Sequence, residues 1–166
     1  MVIREAGILF RGFNLVHASY HKTSDEQIDS DLRSSLLTAL VNFAENVFSS
    51  YNVEYFEMNK YVMAFIDENI KPADGPHPER IIAYAIIDNL STQRKIEKAI
   101  HKLVQPSLKK VIYRFKSLYD GKNLSRMSQF KDFKKELFYF LIFGIITASL
   151  MTVSYTHLTL PTTPYV

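Results

Sequence analysis

The alternation of apolar and polar positions changes period several times along this chain, and each change marks an element. Residues 6–10 and 15–20 are short runs rich in apolar and aromatic side chains, which suits strands. Arg11, Gly12, Phe13 and Asn14 lie between them, a hairpin-length loop in which Gly and Asn accept positive φ. Residues 21–30 are polar and read as a loop. Leu32, Leu36, Leu40, Phe43 and Val47 then recur at helical spacing, flanked by Leu37, Ala44 and Phe48. Asp29 or Ser30 can cap this helix, Asp29 and Asp31 complement the positive end of its dipole, and residues 49–52 stop it. Residues 53–58 and 61–66 read as two further strands joined tightly through Asn59 and Lys60. Pro72, Pro76 and Pro78 make residues 71–78 a loop, and residues 80–87 form a fifth strand. Ser91 or Thr92 opens the last long helical pattern, whose apolar face runs through Ile96, Ile100, Leu103, Val104, Leu108, Val111, Ile112, Phe115 and Leu118. Pro106 falls inside this pattern and predicts a kink or a division into two helices. Residues 120–123 end it, and residues 125–136 form a short basic amphipathic stretch with Met127, Phe130 and Phe133 on one side.

Residues 61–66 and 81–87 are apolar without alternation, and a strand apolar on both sides is covered on both faces. Ala64, Ala83 and Ala85 would let a covering helix approach the backbone closely. The element order β-β-α-β-β-β-α-α therefore predicts an α/β (α+β) domain. It would be a five-stranded antiparallel sheet with one helix on one face and the later helices on the other. The length suits one ordinary domain, and an apolar fraction of 47% argues against disorder. With no cysteine, disulfides, thiolate metal sites and Cys nucleophiles are excluded.

Charge adds a strong asymmetry. Residues 1–93 carry seven Lys/Arg against thirteen Asp/Glu, whereas residues 94–135 carry thirteen against three. A basic half beside an apolar run implies an anionic surface nearby, lipid or nucleic acid. That run is residues 137–151: Leu137, Phe138, Tyr139, Phe140, Leu141, Ile142, Phe143, Gly144, Ile145, Ile146, Thr147, Ala148, Ser149, Leu150 and Met151 hold no charge. Its Leu, Ile and Phe residues favour insertion by roughly 3 to 5 kcal/mol, but a spanning helix needs about 20 apolar residues. Residues 153–166 resemble a translated reading frame of a sequencing-library adapter, which would account for the shortfall. The expected organisation is a domain over 1–120, a basic juxtamembrane linker helix over 121–136, a partial transmembrane helix over 137–152 and a foreign tail. Ile3, Arg4 and Glu5 place charges where a signal peptide would be apolar. Lys131, Lys134 and Lys135 precede the run, which places the domain on the cytoplasmic side with these lysines against anionic lipid.

Candidate chemistry is sparse. His17 and His21 are four apart, but in a strand and its exit, where that spacing makes no helical metal clamp; His77 and His101 have no ligand partner at a metal spacing. Asp67, Glu68 and Asp88 fall at predicted strand ends, where solvated carboxylates are ordinary. Gly7, Gly12, Gly75, Gly121 and Gly144 are too scattered for a phosphate loop. No catalytic, metal or cofactor-binding residue is expected. The series Arg94, Lys95, Lys98, Lys102, Lys109, Lys110, Arg114 and Lys116, interleaved with Tyr113 and Phe115, carries the alternative of a soluble nucleic-acid-binding module, although an outer solvated helix face accounts for the same spacing.

Over residues 3–120 the element order, the Gly12 hairpin and the doubly apolar middle strands resemble the longin and roadblock group of profilin-like domains. That resemblance implies a non-catalytic platform binding a protein partner, such as a small GTPase or a trafficking or signalling regulator. The contact surface would be a sheet edge or the outer face of the first helix, with homodimerisation through either a further expectation. A fusion protein of the SNARE type is disfavoured, since Pro106 interrupts the one long helical pattern.

Overall fold

The hairpin that opens the chain turns on two residues, Arg11 at φ 50° and Gly12 at φ 82°. Two successive positive φ values match the right-handed twist of the flanking strands, so the turn is tighter than the four-residue loop expected. It joins β1 (Ile3–Phe10) to β2 (Phe13–Ser19), and Asn14 lies inside β2, buried and paired with Leu9. The computed structural model describes residues 3–20, 30–47, 53–88, 93–124, 130, 133–135, 137 and 139. Helix α1 (Ser30–Val47) follows, then β3 (Tyr55–Glu57), β4 (Tyr61–Ile70), β5 (Glu79–Asp88), α2 (Gln93–Ala99), a π-helical turn (Ile100–Val104) and α3 (Gln105–Tyr119).

The strands form one antiparallel sheet in the order β2-β1-β5-β4-β3. β4 runs four residues past its expected end. Asn69 and Ile70 still pair with Arg80 and Glu79, while Asp67 and Glu68 reach out to Arg80 (3.2 Å) and Lys116 (2.6 Å). These two carboxylates therefore sit within a strand rather than at its tip.

The two faces of the sheet pack differently. On one, Leu9, Met63, Phe65, Ile82 and Tyr84 meet Leu37 and Val41 of α1. On the other, Ile8, Val62, Ile81 and Ile87 meet Ile96, Ile100, Val104, Leu108, Val111, Ile112 and Phe115. Register lines up Ala18, Ala6, Ala85 and Ala64 across four strands of this second face. A row without side chains beyond Cβ lets α3 settle close to β4 and β5, as the alanine content predicts. One helix thus covers one face and the later helices the other.

Pro106 lies in the first turn of α3, and the helical run divides ahead of it into α2 and α3, one of the two outcomes expected. The turn before it widens, so that Gln105 N–H donates to the carbonyl of Ile100, five residues back. That π geometry absorbs the missing proline donor and the ring's clash with the preceding turn. Ser107 Oγ donates to the carbonyl of Leu103 at 2.7 Å, and Gln105 Nε2 donates to Glu54 O (2.9 Å) and Phe65 O (3.1 Å), clamping the β3 end of the sheet.

The core continues beyond α3 through Leu124, Phe130, Phe133 and Leu137. Phe115 lies 5.5 Å from the Phe130 ring and 5.1 Å from that of Phe133, and Tyr119 lies 4.9 Å from Phe130. At the end of β2, Tyr20 N–H donates to Arg4 O (2.8 Å), and burial pushes its phenol well above the ordinary tyrosine range. Ionised tyrosinate is thus disfavoured in the fold, so stability is full below about pH 10 and falls as pH rises beyond it. Tyr20→Phe should flatten that alkaline limb in thermal melts from pH 9 to 11; an unchanged limb would assign it to another group.

Candidate interaction face

α1 is apolar over a wider arc than it buries. Leu37, Val41 and Ala44, spaced i, i+4 and i+7, are buried against the sheet. One step around the helix, Leu36, Leu40 and Phe43 have the same spacing but are 58%, 38% and 63% exposed. Helical rise gives this stripe a length of about 10 Å. Large apolar side chains gathered on one outer face mark an interaction surface more often than a lone exposed leucine does. The periodicity of Leu36, Leu40 and Phe43 was legible in the sequence as a helix face; which of two adjacent apolar rows faces water was not. The side chains of Leu32, Val47 and Phe48 lie outside the described residues.

The opposite flank of α1 is polar and tied down. Ser35 Oγ donates to Gly12 O, and Arg80 to Asn42 Oδ1, both at 3.4 Å. A cleft of about 250 Å³ opens there, bordered by Thr38 and Asn42 of α1 and by Arg11, Glu79 and Arg80. Its charges are engaged within the fold: Arg11 holds Glu79 through both a 2.6 Å contact and a second one, and lies 3.4 Å from Asp74. That pairing holds the Glu79 carboxyl below its usual range.

Beneath the same face of the sheet lies a buried polar node. The Tyr84 hydroxyl lies 3.0 Å from Glu5 Oε1 and 3.2 Å from Asn14 Oδ1, either of which can accept its one proton, and His17 Nε2 lies 3.0 Å from Glu5 Oε1. Glycine at position 7 makes room for it, since a Cβ there would stand 2.5 Å from Val16 O and 2.8 Å from Tyr84 Cε1. Tyr84 links β5 to β1 and β2 through this node, while the buried His17 Nε2 beside Glu5 makes no hydrogen bond among the described residues. Among the described residues no cluster of three or more His, Asp or Glu is placed to hold a metal.

The residues expected to enter a membrane divide into three groups. Leu137 is fully buried in the domain core, which corrects its assignment to lipid. The reason is periodicity: Phe130, Phe133 and Leu137 are spaced i, i+3 and i+7, so the basic stretch presents one apolar face to Phe115 and Tyr119. Extending the Met127, Phe130, Phe133 series by one turn would have found it. Tyr139 is 69% exposed, and Lys134 and Lys135 are exposed too. Lys131, Phe138, Phe140, Leu141, Ile142, Phe143, Gly144, Ile145, Ile146, Leu150 and Met151 lie outside the described residues. Among the described residues no helix is long and apolar enough to cross a membrane. The folded unit also extends past residue 120, since Leu124, Phe130, Phe133 and Leu137 contribute to its core.

No protein-family model matches the chain, and no curated protein matches its sequence. What can be said of its chemistry therefore rests on its own residues.

Proposed function

We propose that the protein is a non-catalytic interaction platform, held at a membrane by the apolar run 138–151, that docks a protein partner on the outer stripe of α1. The partner class is a small GTPase or a regulator of trafficking or signalling. One observation carries the docking face: Leu36, Leu40 and Phe43 stand exposed beside a row that already fills the core. The β3 edge is a poorer candidate, because it is three residues long and Gln105 already donates to the Glu54 carbonyl beside it. The antiparallel sheet covered on both faces is consistent with the longin and roadblock resemblance.

Leu36→Asp and Phe43→Asp should each leave stability within about 0.5 kcal/mol, because neither side chain fills the core. Each should weaken partner binding about thirtyfold, the ratio set by the ~2 kcal/mol lost at an interface hot spot. The check is a titration of immobilised full-length chain with small GTPases from the same source, loaded with GDP or a non-hydrolysable GTP analogue. Equal binding by wild type and both variants would move docking off α1. Failure of every GTPase to bind would remove that partner class.

A further inference from the structure

The two helical layers differ in charge as well as position. On the outer side of α2, the π turn and α3, Lys98, Lys102, Lys109, Lys110 and Arg114 are exposed, and Glu97 is the one acidic residue between positions 93 and 119. Tyr113 stands among them, 48% exposed, with Lys109 Nζ 5.9 Å from its ring centroid. Lys116 is not part of this set, since Glu68 holds it. The layer on the other side of the sheet presents Leu36, Leu40 and Phe43 instead.

A second observation puts the start of the apolar run next to the basic layer. Phe130 and Phe133 pack on Phe115 and Tyr119 of α3, and Leu137 is fully buried in the same cluster. The apolar run therefore starts from the α3 side of the sheet without a spacer, and exposed Lys134 and Lys135, followed by Glu136, lie just before it.

We infer that the outer face of α2–α3, centred on Lys102, Lys109, Lys110 and Tyr113, rests on anionic lipid headgroups and turns the α1 stripe away from the membrane. This rests on the tethering proposed above and adds an orientation to it. Attraction of each surface lysine to an anionic leaflet is short-ranged, so it acts only if the anchor brings the face within a Debye length. A spacer-free exit on the same side does that. Tyr113 suits the headgroup level, where an aromatic ring with a polar tip is at home. Nucleic-acid phosphates could meet the same lysines, but the face offers one exposed aromatic ring rather than a series on which successive bases stack.

The chain has no cysteine, so a single introduced thiol reports one position. Full-length Ser117→Cys (outer α3) and Asn46→Cys (outer α1) would each carry a fluorescent donor. They would be reconstituted into phosphatidylcholine vesicles with a headgroup acceptor, with or without phosphatidylserine. With phosphatidylserine, energy transfer should be clearly larger from position 117 than from position 46. The difference should collapse in phosphatidylcholine alone, at high salt, and in Lys102→Gln/Lys109→Gln/Lys110→Gln. Equal transfer from both positions in phosphatidylserine vesicles that carry the protein on flotation would overturn the orientation while leaving the tether intact. Recovery of the protein in the soluble fraction with both lipid mixtures would remove the tether and the orientation together. Tight binding of a single-stranded oligonucleotide that phosphatidylserine vesicles fail to displace would assign the face to nucleic acid instead.

Discussion

Replacing Phe115 with alanine should lower the stability of the domain by about 4 kcal/mol, the middle of the range for emptying a buried aromatic site. Phe115 is fully buried and is the ring on which the C-terminal segment converges, with centroids of Tyr119, Phe130 and Phe133 at 4.6, 5.5 and 5.1 Å. It also faces the sheet in the larger of the two cores. Removing it opens a cavity whose walls are other rings, and rings have few rotamers with which to refill it. Two effects should follow together: a lower melting temperature, and faster proteolysis near Lys134 and Lys135 at temperatures where the sheet is still intact. Phe133→Ala should reproduce the second effect with a smaller share of the first, because Phe133 belongs to the docked segment and not to α3. A loss under about 1 kcal/mol for Phe115→Ala would mean that the segment does not pack on α3 as described.

Gly7→Ala is the second large effect, at about 3 kcal/mol, the cost typical of overpacking in a tight interior. In an ordinary strand the change would be neutral or favourable, since glycine weakens strands. Here the added Cβ would meet a backbone carbonyl, Val16 O, at 2.5 Å, and the Tyr84 ring at 2.8 Å. A ring can rotate or shift; a carbonyl held in the β1–β2 ladder cannot. Gly7→Ala/Tyr84→Ala should therefore recover none of the lost stability in thermal melts. Recovery would show that the ring contact, not the carbonyl, sets the limit.

Most of the layer structure was legible in the chain because the fold's coarse rules are local. Doubly apolar runs at 61–66 and 81–87 require cover on both faces, and the helical pattern of Leu32, Leu36, Leu40, Phe43 and Val47 announced the helix that supplies one cover, although the row that faces the sheet is the neighbouring one with Leu37, Val41 and Ala44. The end of β4 was not legible, because Asp67 and Glu68 look like solvated strand-end residues until Arg80 and Lys116 are brought to them by the fold. The hairpin loop was read two residues too long for a similar reason. Asn14 has the residue type of a turn, but it serves as an acceptor for Tyr84, seventy residues away. Leu137 was misread because the apolar run hides where one helical face ends and a run apolar on all sides begins. The candidate face on α1 was readable only as two adjacent apolar rows. Choosing between them needs the angle at which the helix sits on the sheet, which no local pattern encodes.

The widened turn at Ile100–Val104 fixes more than the accommodation of a proline. A regular helix advances about 100° per residue, so one residue more or less before Pro106 would spin everything after it by that angle. Leu108, Val111, Ile112 and Phe115 would swing sideways off the alanine row, and Lys109 or Lys116 would be driven toward it. The loop of backbone stored in that single turn thus keeps α2 and α3 in phase, and shortening the chain there by one residue would turn the wet side of the second half inward.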